Sequence, residues 1–412
     1  MQISEQPSFC VLPWVSISVD GPGRSRLCCN NSGHWHDHSQ PTMPAITEPL
    51  AALNTDLHKA VRRSMSAGER HQSCGKCWQI EDTGGTSFRQ IWNSVFADRE
   101  LGPVTADGTL LSADIHYLDI TFGNKCNLVC RMCNWANSHL WTADNLKLGR
   151  AEPQDNSRMV RQLWFEDPRA MQTILATLPT VTHINFLGGE PLIITQHEQI
   201  LEACVVQGHS QHIHISYNTN LTRLSHRLLE LWQQFAHVTV NVSLEAVGRA
   251  NDYIRQNSHW SEIMRNLRQV ERLAKHSHQI RLDIHTTFGI YNCLSVAELI
   301  TWCRSRLLQL PFVNIVYHPN HHDVRLLPLS AKAQIRHEIA AAITGMEQHH
   351  NHASWLAALN YMDQDGDAVQ RNSLPGWPSD PWLQFWHDAT EIDQLKNRHM
   401  REYLPRLWEL RP

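Results

Sequence analysis

Three cysteines, Cys126, Cys130 and Cys133, stand at C-x3-C-x2-C spacing directly behind a strand-like run over residues 115–121. Three thiolates so spaced can hold three irons of a cubane cluster and leave the fourth iron open to a substrate or cofactor. The same thiols would otherwise form a zinc knuckle. A second set lies nearer the N-terminus: Cys10, Gly23, the pair Cys28-Cys29, then Cys74-Gly-Lys-Cys77. Cys10, Cys28, Cys74 and Cys77 supply four thiolates for a second cluster or, from identical ligand types, for a structural zinc ion. The turn Gly21-Pro-Gly23 would reverse a hairpin and bring Cys10 toward Cys28. The interval Gly23-x4-Cys28 favours Cys28 as ligand, with Cys29 as the alternative. Of the other cysteines, Cys204 and Cys303 share helical faces with apolar residues and read as core. Cys293 follows a strand end, where a thiol could face a reaction site and donate a hydrogen atom, against the alternative of simple packing. Among the 27 histidines, the alternating His34, His36 and His38 invite a divalent ion without fixing its geometry. The pairs His321-His322 and His349-His350 read as solvated surface.

The elements that must position these groups follow from periodicity. Apolar extended runs over 117–122, 182–187, 212–217, 238–243, 281–288 and 313–317 alternate with amphipathic helical patterns over 196–206, 225–235, 260–275 and 296–308, the signal of βα units around a parallel sheet. In parallel barrels the reactive groups sit at the C-terminal strand ends. Those ends carry Gly188-Gly189-Glu190-Pro191, then Ser216-Tyr-Asn218-Thr-Asn220, then Ser243-Leu-Glu245, with Tyr253-Ile-Arg255 shortly after. The glycines admit close backbone approach, and a strand-end carboxylate can accept hydrogen bonds from an ammonium group. Past residue 326 helical patterns take over, broken by a turn-rich run over 373–381. Trp355, Trp377, Trp382, Trp386 and Trp408 gather there and read as a cap over the open side of a barrel, or alternatively as a substrate-gripping surface.

Cys126-x3-Cys130-x2-Cys133 followed one βα unit later by Gly188-Gly189-Glu190-Pro191 resembles the radical S-adenosylmethionine (SAM) superfamily. The resemblance implies an α/β fold, a partial (β/α)6 TIM barrel over 111–325, with a helical C-terminal extension over 326–412. The order Cys10…Gly23-x4-Cys28…Cys74-x2-Cys77 resembles a twitch domain, the shortened form of the SPASM domain, here over 1–110 and ahead of the barrel. By the same resemblance, Cys126, Cys130 and Cys133 would hold a 4Fe-4S cluster whose open iron binds SAM. Gly188, Gly189, Glu190 and Pro191 would hold the SAM amino group, and Ser216, Asn218, Asn220, Ser243 and Glu245 would lie near its ribose. Arg255 would pair with a carboxylate of SAM or substrate. Glu245 stands where aspartate is commoner. Met132 stands where an aromatic residue usually packs near adenine, a space its thioether can fill.

The implied chemistry is one-electron cleavage of SAM to methionine and a 5′-deoxyadenosyl radical, which takes a hydrogen atom from substrate. An auxiliary iron–sulfur cluster, expected as 4Fe-4S, fits an oxidative outcome such as a crosslink or dehydrogenation. Twitch and SPASM relatives commonly modify ribosomally made peptides or proteins, the leading expectation here. Dehydrogenation of a sugar or aminocyclitol is the second, and a non-catalytic, zinc-stabilised binding protein the third. An electron donor such as flavodoxin or ferredoxin is the expected partner.

Composition agrees with a folded enzyme: 412 residues, 42% hydrophobic and 18% charged, with a formal net charge of −4. Such a balance gives no reason to expect a nucleic-acid surface, and no apolar run is long enough to cross a bilayer. The first residues lack the basic start and apolar core of a signal peptide. Eleven cysteines then read as metal ligands in a reducing compartment, and the cytoplasm is the expected location.

Overall fold

The computed structural model describes residues 6–31, 48–82, 84–150, 163–369 and 376–412. His34, His36 and His38, and residues 373–375 of the turn-rich run, lie outside the described residues. Ten strands are described: β1 (Ser16–Val19), β2 (Ser25–Arg26), β3 (Tyr117–Thr121), β4 (Val129–Cys130), β5 (His183–Leu187), β6 (His214–Thr219), β7 (His237–Ser243), β8 (Arg255–Gln256), β9 (Ile280–Phe288) and β10 (Phe312–Ile315). The chain forms two compact units, Met1–Lys125 with Arg161–Tyr217 and Arg227–Val238, and Cys126–Val160 with Asn218–His226 and Thr239–Pro412.

In the first unit the strand order is β2-β1-β3-β5-β6. Strands β1, β3, β5 and β6 run parallel, and β2 is antiparallel to β1. The expected hairpin therefore exists, but its first strand also lies parallel to β3, Ser16 opposite Tyr117 and Val19 opposite Ile120. Its turn needs glycine twice over. Gly23 has φ +86°, and a Cβ there would stand 2.4 Å from the Cβ of Trp164. Helix starts are set by local chemistry. Thr55 accepts from His58 N ahead of the helix Asp56–Ser66, and Ser87 and Gln90 form a capping box on the helix Phe88–Val95.

In the second unit β7, β9 and β10 are successive neighbours, with β10 parallel to β9. Burial along β9 alternates for its whole length, as period-two patterning requires when one face is packed on helices. The short ladder β4–β8 pairs Cys130 with Arg255. Helices Leu329–Ile343, His352–Met362 and Pro381–Lys396 follow. The last starts on Pro381 with Asp380 accepting from Trp382 N and Leu383 N, and stops at Asn397 in the left-handed region. Trp355, Phe385, Trp386 and Ala389 join Phe288, Ile290 and Val313 in one apolar core, so Trp355 and Trp386 pack inward, as a cap requires. No helix among the described residues is long and apolar enough to cross a membrane.

Candidate active site

Cys126 and Cys130 are buried and Cys133 half-buried, and they pack together with Leu128 and Met132. None of the eleven cysteines is disulfide-bonded. The loop that carries the three is held by its backbone: Cys133 N donates to Cys130 O (2.9 Å) and Arg131 N to Ile254 O (2.8 Å). Ser138 Oγ donates to Leu128 O (2.7 Å) and Trp141 Nε1 to Cys130 O (3.2 Å). Asn220 Nδ2 donates to Asn127 Oδ1 (3.0 Å), and Asn220 Oδ1 accepts from Thr222. Asn220 thus braces the cysteine loop. Burial pushes the Cys133 thiol well up, the neighbouring Cys130 and Cys126 add to that, and Arg255 opposes it. Buried thiols that disfavour one another's ionisation suit a cationic group that takes all three as thiolates.

Glu245 and Arg255 meet in an ion pair at 2.7 Å. The second carboxylate oxygen accepts from Thr287 N (2.7 Å) and Thr286 Oγ1 (3.1 Å). Arg255 lies beside Cys130 and Cys126, whose negative charge would hold it protonated, and its Nε is buried without a partner. Asn218 Oδ1 is likewise a buried acceptor with no partner. Ser243 is half-buried at the end of β7.

In the first unit, residues 188–191 clasp the backbone that leads into the cysteine loop. Gly189 N donates to Gly123 O (3.1 Å) and Glu190 N to Lys125 O (2.9 Å). A Cβ on Gly188, at φ +93°, would lie 2.5 Å from Phe122 N, and one on Gly189 would lie 2.0 Å from Lys125 O. Only glycine allows that approach. Glu190 is buried, with Oε1 accepting from Leu192 N (3.0 Å) where Pro191 opens a short 3-10 turn. Ser216 Oγ donates to Asn185 Oδ1 (2.7 Å), and Asn185 Nδ2 to Asp119 (2.9 Å). Asp119 is fully buried on β3 and also accepts from Ser18 Oγ and Arg26 Nη2, so Ser216 ends a polar row that begins in the N-terminal hairpin.

Cys10, Cys28, Cys74 and Cys77 line a single small cavity. Burial raises the Cys28 and Cys74 thiols to about 12, and neighbouring thiols of the set add to both. Arg89 lines the same cavity, ion-paired to Glu81 at 2.6 Å. Cys29 is not among the lining residues. It stands beside Asp119 and Arg26.

A second small cavity lies in the second unit, lined by Met132 with Gly289, Ile290, Tyr291, Val316 and His322. Two expectations change here. Cys293 is not on its wall: Gly289 to Asn292 line the cavity, but the Cys293 thiol is buried in the apolar core and donates to Ile290 O at 3.1 Å. His321 and His322 are buried, 5% and 2% exposed, not solvated, since the Pro381–Lys396 helix packs over them. Burial holds His322 neutral, its pKa down to about 4.

Sequence reasoning missed Arg131. It lies between Cys130 and Cys133, is fully buried, and is ion-paired to Asp393. Its guanidinium sits 3.8 Å over the Tyr253 ring, whose hydroxyl also donates to Asp393 (2.8 Å). The available signal was an arginine inside a cysteine motif.

A mostly parallel α/β sheet with three cysteines at this spacing defines a class, and a family model agrees. Residues 120–287 match the radical SAM superfamily. That stretch is a radical SAM domain, the domain of an enzyme superfamily. The superfamily uses SAM and a 4Fe-4S cluster, and Cys126, Cys130 and Cys133 fit such a group by donor type and burial. No curated protein matches the chain. Among solved structures, anSMEcpe with bound AdoMet is 13% identical over 55% of this chain and 57% of that one, TM-score 0.41. SuiB of Streptococcus suis is 13% identical over 71% of this chain and 63% of that one, TM-score 0.37. TYW1 with a lysine-pyruvate adduct is 13% identical over 53% and 72%, TM-score 0.30. The chain thus spans less than two thirds of the first two, and likeness this distant does not bear on function.

Proposed function

We propose that this enzyme cleaves SAM reductively and oxidises a side chain of a peptide or protein, using a second cluster held by Cys10, Cys28, Cys74 and Cys77. The observation that carries the reading is the single cavity lined by those four thiols. When bound, the cluster on Cys126, Cys130 and Cys133 supplies one electron to SAM. The residues of the chain do the rest. Gly188 and Gly189 let the backbone close on Phe122, Gly123 and Lys125, and Glu190 is the carboxylate for the SAM ammonium group. Asn218 offers a buried acceptor for a ribose hydroxyl, and the free Nε edge of Arg255 faces carboxylate. Met132 contributes an apolar wall for adenine. A two-cluster enzyme can return the electron left on an oxidised substrate, which favours a crosslink or dehydrogenation over a redox-neutral reaction. The domain division at 110 and 325, the electron donor and a cytoplasmic setting belong to the same proposal.

The test is anaerobic reconstitution, metal analysis and deoxyadenosine release from SAM with dithionite. About eight irons per chain and deoxyadenosine formation are expected. Replacing Cys126, Cys130 and Cys133 with alanine should abolish release, and persistence would refute the site. A peptide encoded beside the gene should lose two hydrogens by mass. Turnover of a sugar or aminocyclitol alcohol instead would move the substrate class to small molecules.

A further inference from the structure

Outside the cysteine sites, the described residues hold one other group built like a metal site. His321 and His322 lie in the short 3-10 turn that follows β10, and Asp388 lies in the Pro381–Lys396 helix. All three are buried, and their donor atoms lie within 4.8 Å of one another. From Asp388 Oδ2 to His322 Nε2 is 3.3 Å, and to His321 Nε2 is 3.8 Å. A histidine–carboxylate pair closed by a charge-assisted hydrogen bond sits at about 2.7–2.9 Å, so one oxygen shared between two imidazoles at these lengths satisfies neither well. An ion bound at about 2.0–2.2 Å from nitrogen and oxygen sets tetrahedral ligand atoms about 3.4 Å apart, a span close to the 3.3 and 3.8 Å from Asp388 to the two imidazoles.

The carboxylate is also aimed. Arg150 Nη1 holds Oδ1 at 2.7 Å, leaving Oδ2 to the imidazoles, as an outer partner orients a ligating carboxylate. The arginine does not make the place cationic, because Glu391 takes its other arm at 2.7 Å. Two carboxylates against one guanidinium leave a net negative charge for a divalent ion.

We propose that His321, His322 and Asp388 bind a divalent transition ion, with zinc as the favoured occupant, separate from both cysteine sets. Two imidazoles and one carboxylate are a zinc or iron(II) donor set, and zinc outcompetes iron(II) and manganese(II) at such a site. The ion staples the turn after β10 to the C-terminal helix. It stands behind His322, which also lines the cavity beside Met132, so it fixes one wall of that cavity.

The experiment uses full-length protein with its iron–sulfur sites reconstituted, dialysed against excess zinc and then against buffer, with zinc and iron counted together. Zinc K-edge absorption reads the ligands. About one zinc per chain is expected, with nitrogen and oxygen neighbours at about 2.0–2.2 Å and no sulfur shell at about 2.3 Å. His321→Gln and Asp388→Asn should each remove that zinc while leaving iron per chain unchanged. Zinc held only by sulfur, absence of zinc, or zinc retained with an unchanged edge in both variants would each overturn the proposal. Should a variant lose its iron as well, the wild-type edge decides alone, a nitrogen and oxygen shell supporting the site and a purely sulfur shell rejecting it. Loss of SAM cleavage by the enzyme would not touch this result.

Discussion

Replacing Gly189 with alanine tests whether the clasp on the cysteine loop matters to catalysis. The added Cβ would stand 2.0 Å from Lys125 O and 2.4 Å from Lys125 C, whereas ordinary contact begins near 3.4 Å. The oxygen must therefore retreat by 3.4 − 2.0 = 1.4 Å, and both partners are backbone, so no side chain can swing aside. Lys125 is the residue before Cys126, and its carbonyl also accepts from Glu190 N. A shift of that size moves the first cluster ligand and the carboxylate of Glu190 together. Misplacement by about 1 Å costs on the order of 10²-fold in rate. The stability cost is smaller, about 1 kcal/mol for each of the hydrogen bonds at Gly189 N and Glu190 N.

Deoxyadenosine release under dithionite is the assay, normalised to iron content and compared with Gly208→Ala. Gly208 also has positive φ, at +76°, but nothing lies within 4 Å of its missing Cβ, so alanine there strains the backbone without meeting a neighbour. Gly189→Ala should lose about 10²-fold at near-normal iron loading, while Gly208→Ala keeps its turnover. A Gly189→Ala enzyme within threefold of wild type would refute the claim that this close approach positions the site.

Other consequences are as direct. Cys28→Ser should remove one cluster's worth of iron while Cys29→Ser leaves the count intact, because Cys28 alone of the pair lines the cavity; equal losses would reject that ligand assignment. Asp393→Ala strands the fully buried Arg131 guanidinium and should cost about 3–5 kcal/mol in denaturant unfolding, whereas replacing both partners with apolar residues should cost far less. Equal destabilisation by the single and double changes would show that packing, not charge, holds the pair. His58 is fully buried with its pKa lowered to about 3 by burial and by Arg62. A depressed folded pKa means the unfolded chain binds the proton first, so stability is present above about pH 6.5 and lost as pH falls. Between pH 7.5 and 5.5 the loss is about 1.4 kcal/mol, and His58→Gln should abolish that part of the pH dependence; an unchanged slope would contradict it.

The βα alternation was legible because each strand runs in one stretch with one face buried, a period that needs no knowledge of partners. The expected strand over 238–243 and the observed His237–Ser243 differ by one residue, as do the helices over 260–275 and Trp260–His276. Strand β1 escaped notice because Ser-Ile-Ser-Val is only four residues long, too short for its alternation to stand out, and its partner β3 lies a hundred residues on. The cysteine spacing announced itself, whereas the pairs that hold it did not. Arg131 and Asp393 are 262 residues apart, and His322 and Asp388 are 66 apart. Local sequence cannot show which arginine meets which carboxylate. His321-His322 looked like surface because polarity is a prior on exposure and not a measure of it.

Both cysteine sets are accompanied by buried arginine–carboxylate pairs. Arg131 and Asp393 hold the residue between Cys130 and Cys133, and Arg255 and Glu245 stand opposite Cys130. Arg26, paired to Asp119, stands two residues before Cys28, and Arg89, paired to Glu81, lines the cavity of Cys74 and Cys77. Buried pairs contribute little net stability against apolar packing of the same volume, so stability alone does not account for four of them at these positions. Clusters ligated by several thiolates are anionic, however, and a fixed guanidinium nearby offsets that charge without supplying a competing ligand, since arginine stays protonated and has no lone pair to offer. The carboxylate partner fixes where the guanidinium points, so that Arg255, Arg26 and Arg89 lie with their charge beside the Cys133, Cys28 and Cys74 thiols.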